Sequence, residues 1–233
     1  MFLSLKNVKK ESRNTLSSFE IVAKDCGTPY LNDSVEVEIE IIDINDCVPI
    51  FNKTEYPFQI IENDGVKSSL PLSIGLVDAT DCDIGNNGKI TFKLGEPSNK
   101  FQISEKGLLE QIDFVDRENQ SFYSFTVLAI DSIPMSLRRN TGTTIVSIRV
   151  DDRNDNPPVF IQSINVSNPI KVSYEEEIGF EIHRVQTKDA DVGLNAIITY
   201  KIKSNNYVNE IFVIDEKSGS ITIAKRLTSS HQN

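Results

Sequence analysis

The sequence predicts an all-β chain of tandem antiparallel β-sandwich repeats, one complete and two partial. Motifs recur in the same order at nearly constant spacing, alternating apolar and polar runs separate them, and no window of helical length shows a capped apolar stripe. Asp43-Ile-Asn-Asp-Cys-Val-Pro-Ile-Phe51 returns as Asp152-Arg-Asn-Asp-Asn-Pro-Pro-Val-Phe160, and Asp81-Cys-Asp-Ile-Gly-Asn-Asn87 as Asp189-Ala-Asp-Val-Gly-Leu-Asn195. Ala23-Lys-Asp25 returns as Ala129-Ile-Asp131, and Phe101-Gln-Ile-Ser-Glu-Lys-Gly107 as Phe212-Val-Ile-Asp-Glu-Lys-Ser-Gly219 with one residue added.

Each strand follows from its own pattern. Val35-Glu-Val-Glu-Ile-Glu-Ile41 puts an apolar side chain at every second position, as a half-buried strand requires. Phe19-Glu-Ile-Val-Ala23 precedes it and is echoed by Phe125-Thr-Val-Leu-Ala129; Thr144-Ile-Val-Ser-Ile-Arg-Val150 alternates as well. Short strands punctuated by Gly, Asn, Asp and Pro, in units near 100 residues, describe antiparallel sandwiches. Dividing at the proline motifs gives the end of one sandwich at 1–46, a complete one at 47–155, and the start of a third at 156–233. The third stops soon after Gly219-Ser-Ile-Thr-Ile-Ala-Lys225, without counterparts of residues 116–151. Neither terminal piece is expected to fold well alone, because apolar faces and strand edges would stay uncovered.

Bulk composition narrows the function. The 233 residues are 39% hydrophobic and 25% charged, as in a folded domain, and the net charge of −10 argues against a nucleic-acid partner. Three cysteines are too few for a disulfide scaffold. Cys47 and Cys82 fall near one junction and Cys26 at the far end of its unit. A bond between the first two needs Cα atoms within about 7 Å, and two thiols are the expectation. Sequons at Asn32, Asn52, Asn119 and Asn165 favour a secreted context. The apolar start Met1-Phe2-Leu3-Ser4-Leu5 is too short for a signal-peptide core, and no run approaches a membrane helix, so the chain reads as a fragment of an anchored protein.

The repeated motifs resemble those of cadherins. Asp152-Arg-Asn-Asp-Asn-Pro-Pro-Val-Phe160 looks like the cadherin inter-repeat linker, and Asp116-Arg-Glu118, Ala129-Ile-Asp131 and Asp189-Ala-Asp-Val-Gly-Leu-Asn195 resemble the family's other calcium motifs. The resemblance covers essentially the whole chain and implies Greek-key sandwiches with calcium ions at each junction. Absence of Trp points to a protocadherin-like or long many-repeat member without the strand swap. For the second junction it implies ligands Glu62, Asp116 and Glu118, then Asn154 and Asp155 with carbonyls of Arg153 and Asn156, then Asp189 and Asp191 with the carbonyl of Asn195. For the first it implies Asn45, Asp46, Asp81, Asp83, Asn87 and Asp131, with Glu11 as the one acidic survivor of a motif reading Lys9-Lys-Glu11. The lysine there predicts one weak or empty cation site. Cys47 stands where the family uses a backbone carbonyl. Glu176 is the third unit's counterpart of Glu62, since it keeps the alternation of Ile170, Val172 and Tyr174.

Calcium suits such positions because a hard ion takes six to eight oxygens, more than one loop supplies, and because clustered carboxylates repel one another without it. The resemblance implies calcium-dependent cell–cell adhesion at the extracellular face of the plasma membrane. Partners would be cadherin ectodomains on the same or apposed cells, homophilic or heterophilic, with membrane contact only through an anchor outside this chain. Rival readings fare worse. An EF-hand needs Gly and Glu where Asp81 places Asn86 and Phe92, and where Asp189 places Leu194 and Tyr200. An enzyme would have only His183 and His231 for imidazole chemistry, with no metalloprotease, nucleophile-elbow or phosphate-loop motif. Gly85-Asn-Asn-Gly-Lys89 reads as a turn. A calcium-independent β-sandwich spacer or interaction module explains the alternation but not the paired acidic motifs.

Overall fold

The computed structural model describes residues 16–40, 43–63, 69–131, 139–161, 169–203 and 211–228. These form two compact units. The first is built on residues 16–60, 69–115 and 122–149, the second on 61–63, 116–121 and 150–228. Three short stretches of the middle sequence repeat thus group with the chain that follows it.

The first unit opens with an antiparallel hairpin, β1 (Leu16–Lys24) against β2 (Asn32–Glu40), in register from Leu16↔Glu40 to Lys24↔Asn32. Asp25 closes its loop, the carboxylate accepting the N–H groups of Gly27 (3.0 Å) and Leu31 (2.9 Å). Alternation correctly placed these strands but not their burial. Val35 is 58% and Ile39 48% exposed, because no second sheet among the described residues covers that face.

The complete sandwich has β3 (Ile50–Phe51), β4 (Glu55–Ile61), β5 (Leu72–Leu76), β6 (Ala79–Thr80), β7 (Ile90–Leu94), β8 (Phe101–Ile103), β9 (Leu108–Gln111), β10 (Phe122–Asp131) and β11 (Thr141–Asp151). One sheet runs β4-β11-β10-β7, another β5-β9-β8, and β3 pairs with β6. The chain passes repeatedly between the two larger sheets. Period-two burial makes the core: Val127 and Ala129 on β10 and Val146 and Ile148 on β11 are fully buried. Rings then join the sheets, with Phe101 on β8 packing edge-to-face 5.0 Å from Tyr123 and tilted 5.7 Å from Phe125 on β10. Two buried hydroxyls of β11 are partnered: that of Thr144 shares its proton between the carbonyls of Lys53 and Thr54, and that of Ser147 donates to Glu55.

The second unit repeats part of this plan. β12 (Val159–Phe160) pairs with β14 (Thr187–Lys188) as β3 pairs with β6, and the sheet β13 (Glu181–Arg184), β16 (Ser220–Ile223), β15 (Phe212–Ile214) matches β5-β9-β8. Its core gathers Ile211, Ile223 and Leu227, with Val172, Ile182 and Phe212 packed against them. The repeated Gly motif has one reason in both units. Gly107 (φ +83°) and Gly219 (φ +67°) close their turns in the left-handed region, where an added Cβ would stand 2.2 Å from the Val77 carbonyl oxygen and 2.5 Å from that of Val185. Each glycine carbonyl accepts the N–H of that same valine, at 2.9 and 3.0 Å. Among the described residues no helix is long and apolar enough to cross a membrane.

Candidate metal centres

In the first unit, the linker and the Asp81–Asn87 loop lock together. The Asp43 carboxylate accepts the Ile84 N–H (3.2 Å) and the Asn87 side-chain amide (2.9 Å). Asp83, 7% exposed, accepts the N–H of Cys47 at 3.0 Å and donates its own N–H to Asp81 at 2.8 Å. The other Asp81 oxygen, Oδ2, is buried without a partner. Asp131, 1% exposed, accepts the Asn140 N–H through both oxygens, and the Asn140 side chain donates to Asn45 Oδ1 (3.0 Å) and the Cys47 carbonyl (2.6 Å). Asp46 is exposed beside them; Glu11 lies outside the described residues.

The expectation of two thiols is corrected here. Cys47 and Cys82 form a disulfide, with Cα atoms 5.8 Å apart. The linker–loop attachment brings the two backbones within bridging distance, which sequence spacing alone does not reveal. Both sulfurs belong to a group with the Asp81 and Asp83 carboxylates, but bonded to each other they offer a hard cation nothing. Oxygen alone remains.

In the second unit Glu62 is fully buried and receives the N–H groups of Arg117 (2.8 Å) and Arg153 (2.9 Å). Carboxylates of Glu118, Asp155 and Asp191 converge, their oxygens within 4.8 Å of one another, as do those of Glu62, Glu118 and Asp152. Asn156 bridges Asp155 (2.8 Å) and Asp191 (3.0 Å), and Asn63 donates to Asp155 at 3.0 Å. The Asp191 N–H rests on Asp189 at 2.9 Å, while Asp191 Oδ2 is buried without a partner. Asp116 holds the same turn as Glu118, accepting the Asn119 N–H. Asn154 is exposed in the linker; Glu176, half-buried after a turn, belongs to neither carboxylate group.

Two residues outside the expected ligand set organise these loops. Asp152 does in the second what Asp43 does in the first, accepting the Val192 N–H (3.2 Å) and the Asn195 amide (2.8 Å). Both open the repeated linker motif, so the repetition was visible although the role was not. Arg117 lies among the carboxylates: Nε donates to Asp152 at 2.6 Å, and Nη2 to the Ala190 carbonyl at 2.9 Å and to Glu118. Burial, assisted by the Glu62 charge, pushes Glu118 above the usual glutamate value. Burial opposes Asp152 ionisation too, but hydrogen bonds from Asn195, Val192 and Arg117 outweigh it and hold Asp152 below the usual range. Asn140 had no sequence signal, since Leu31 occupies the corresponding place in the preceding hairpin.

The donor set fits a hard divalent ion: all oxygen, clustered, with a buried carboxylate oxygen left unpartnered in each loop. Fold and site together define the class as β-sandwich units with acidic clusters where linker meets loop. The cadherin-domain family model matches residues 56–151 and 168–233, and the chain belongs to the cadherin family, a family of adhesion proteins rather than enzymes whose domains generally bind calcium. It is 36% identical over 216 residues to Protocadherin-11 X-linked of Pan paniscus, covering 89% of this chain and 15% of that protein. It is 30% identical over 222 residues to human Protocadherin Fat 4, covering 95% of this chain and 4% of that protein. Among solved structures, mouse Cadherin-23 EC22-24 matches with a TM-score of 0.76 and 31% identity, over 93% of this chain and 66% of that one. The chain thus spans a small part of the two protocadherins' own length.

Proposed function

We propose that this chain is a segment of a calcium-dependent adhesive ectodomain, its acidic clusters holding calcium ions that restrict motion at the linkers between repeats. Convergence of the Glu118, Asp155 and Asp191 carboxylates, together with the buried and unpartnered Asp191 Oδ2, carries the reading. In it, repeats divide near residues 46 and 155. Calcium supplies positive charge and coordination sites for the clustered oxygens. Glu62, Asp116, Glu118, Asn154, Asp155, Asp189 and Asp191, with carbonyls of Arg153, Asn156 and Asn195, hold it at the second cluster; Asn45, Asp46, Asp81, Asp83, Asn87, Asp131 and Glu11 serve the first. Glu176 serves a third repeat. A linker restrained in this way keeps a distant adhesive tip extended toward another cadherin ectodomain, on the same or an apposed cell, at the extracellular face of the plasma membrane.

Thermal melting under calcium titration tests this. An ion that binds the folded state alone stabilises it by about 2.7 kcal/mol per site at a hundredfold excess over Kd, so Tm should rise by about 5–10 °C. Asp191→Asn should abolish the second cluster's share. An unchanged Tm would identify a metal-free spacer. A full complement of bound calcium at the first cluster would overturn the weak-site expectation drawn from Lys9-Lys10-Glu11.

A further inference from the structure

Cys47 immediately follows Asn45 and Asp46 of the linker, and Cys82 lies between Asp81 and Asp83 of the loop. The disulfide therefore joins the two halves of one donor set across a sequence separation of 35. The second cluster has Asn156 and Ala190 at these positions and ties linker to loop by hydrogen bonds rather than a covalent bond, Asn156 to Asp191 and Asp152 to Val192 and Asn195. Asp46, Asp81 and Asp83 repel one another across the first attachment unless something restrains them. Cys47 is half-buried but Cys82 is exposed, so a reductant has access.

We propose that the Cys47–Cys82 disulfide is a redox-sensitive staple that keeps the first acidic cluster assembled without an ion and thereby raises its affinity for calcium. The affinity rests on the calcium reading above; the assembly does not. Release is a two-electron exchange with a small-molecule thiol. Its thiolate attacks Cys82 Sγ, the S–S bond breaks, and Cys47 leaves as a thiolate that takes a proton. A second thiol resolves the mixed disulfide, giving the Cys82 thiol and the oxidised reductant. The reduced linker must then be ordered when calcium binds, whereas the stapled linker is already in place.

Site-resolved hydrogen exchange on the full chain tests this, in a Cys26→Ser background to prevent thiol shuffling. Oxidised protein, dithiothreitol-reduced protein and the Cys47→Ser/Cys82→Ser variant are compared in chelator and through a calcium chloride titration. In chelator, exchange at residues 43–47 and 81–87 should rise about tenfold on reduction or in the variant. Residues 152–156 and 189–195 should stay unchanged, and protection of β10 and β11 should show the sandwich intact. The calcium midpoint for slowing exchange at the first cluster should rise about three- to tenfold, with the second cluster's fixed. Equal exchange and equal midpoints in the two redox states, with calcium still slowing exchange at both clusters, would overturn the staple and leave the calcium reading standing. No calcium response at either cluster in any redox state would overturn both.

Discussion

Both oxygens of Glu62 are occupied by backbone N–H groups from two other segments, so this buried carboxylate fastens residues 62, 117 and 153 together before any ion is considered. Truncating it leaves both donors buried and unpaired. Glu62→Ala should destabilise the second unit by about 3 kcal/mol, and Glu62→Gln, which keeps one acceptor, by about half as much, measured by denaturant unfolding in chelator. Indifference of both variants would show that the N–H groups find other partners. The glutamate itself was legible because a motif marked it. Its two donors were not, since a backbone N–H carries no residue type, and the Asn140 N–H that Asp131 accepts was hidden in the same way. Asp43 and Asp152 stood in plain view within a repeated motif, but a repeat shows that a residue matters, not whether it faces an ion or another loop.

Among the elements, the paired turns ending in Gly107 and Gly219 share geometry but not chemistry. Gly107→Ala should cost at least about 2 kcal/mol, because the left-handed backbone is strained for alanine and its Cβ would press on the Val77 carbonyl. Urea unfolding with a loss under 0.5 kcal/mol would contradict that (a surface-like value). The turns diverge at their first residue. Ser104 accepts the Leu108 N–H, whereas Asp215 accepts those of Lys217 (3.2 Å) and Ser218 (2.7 Å). Bonds from Ser218, aided by Lys217, hold Asp215 below the usual aspartate value. Its stabilisation is thus present above the ordinary aspartate value and is lost as pH falls through the lower folded one. Exchange at 215–219 should rise on acidification through that interval, with 104–107 as the comparison; parallel behaviour of the two turns would contradict it. Strand positions were readable from period-two alternation. Burial of the β1–β2 face was not, because alternation reports a strand's two faces and says nothing about which layer covers either.

For the molecule as a whole, 34 acidic against 24 basic residues give a net charge of −10, and the structure concentrates carboxylates where linkers meet Asp-x-Asp loops. The linker's opening aspartate is tied each time to the loop downstream, Asp43 to Ile84 and Asn87, Asp152 to Val192 and Asn195. A module excised from residue 47 onward would leave its own doorpost behind. Cut instead at residue 43, it should be more stable by about 1–3 kcal/mol, read as a higher melting temperature, and equal melting of the two pieces would show that Asp43 is dispensable. Shuffling of sandwiches between such chains, by design or by recombination, would then succeed most often when the crossover falls ahead of that aspartate, so that each transplanted module arrives with its entrance already fitted.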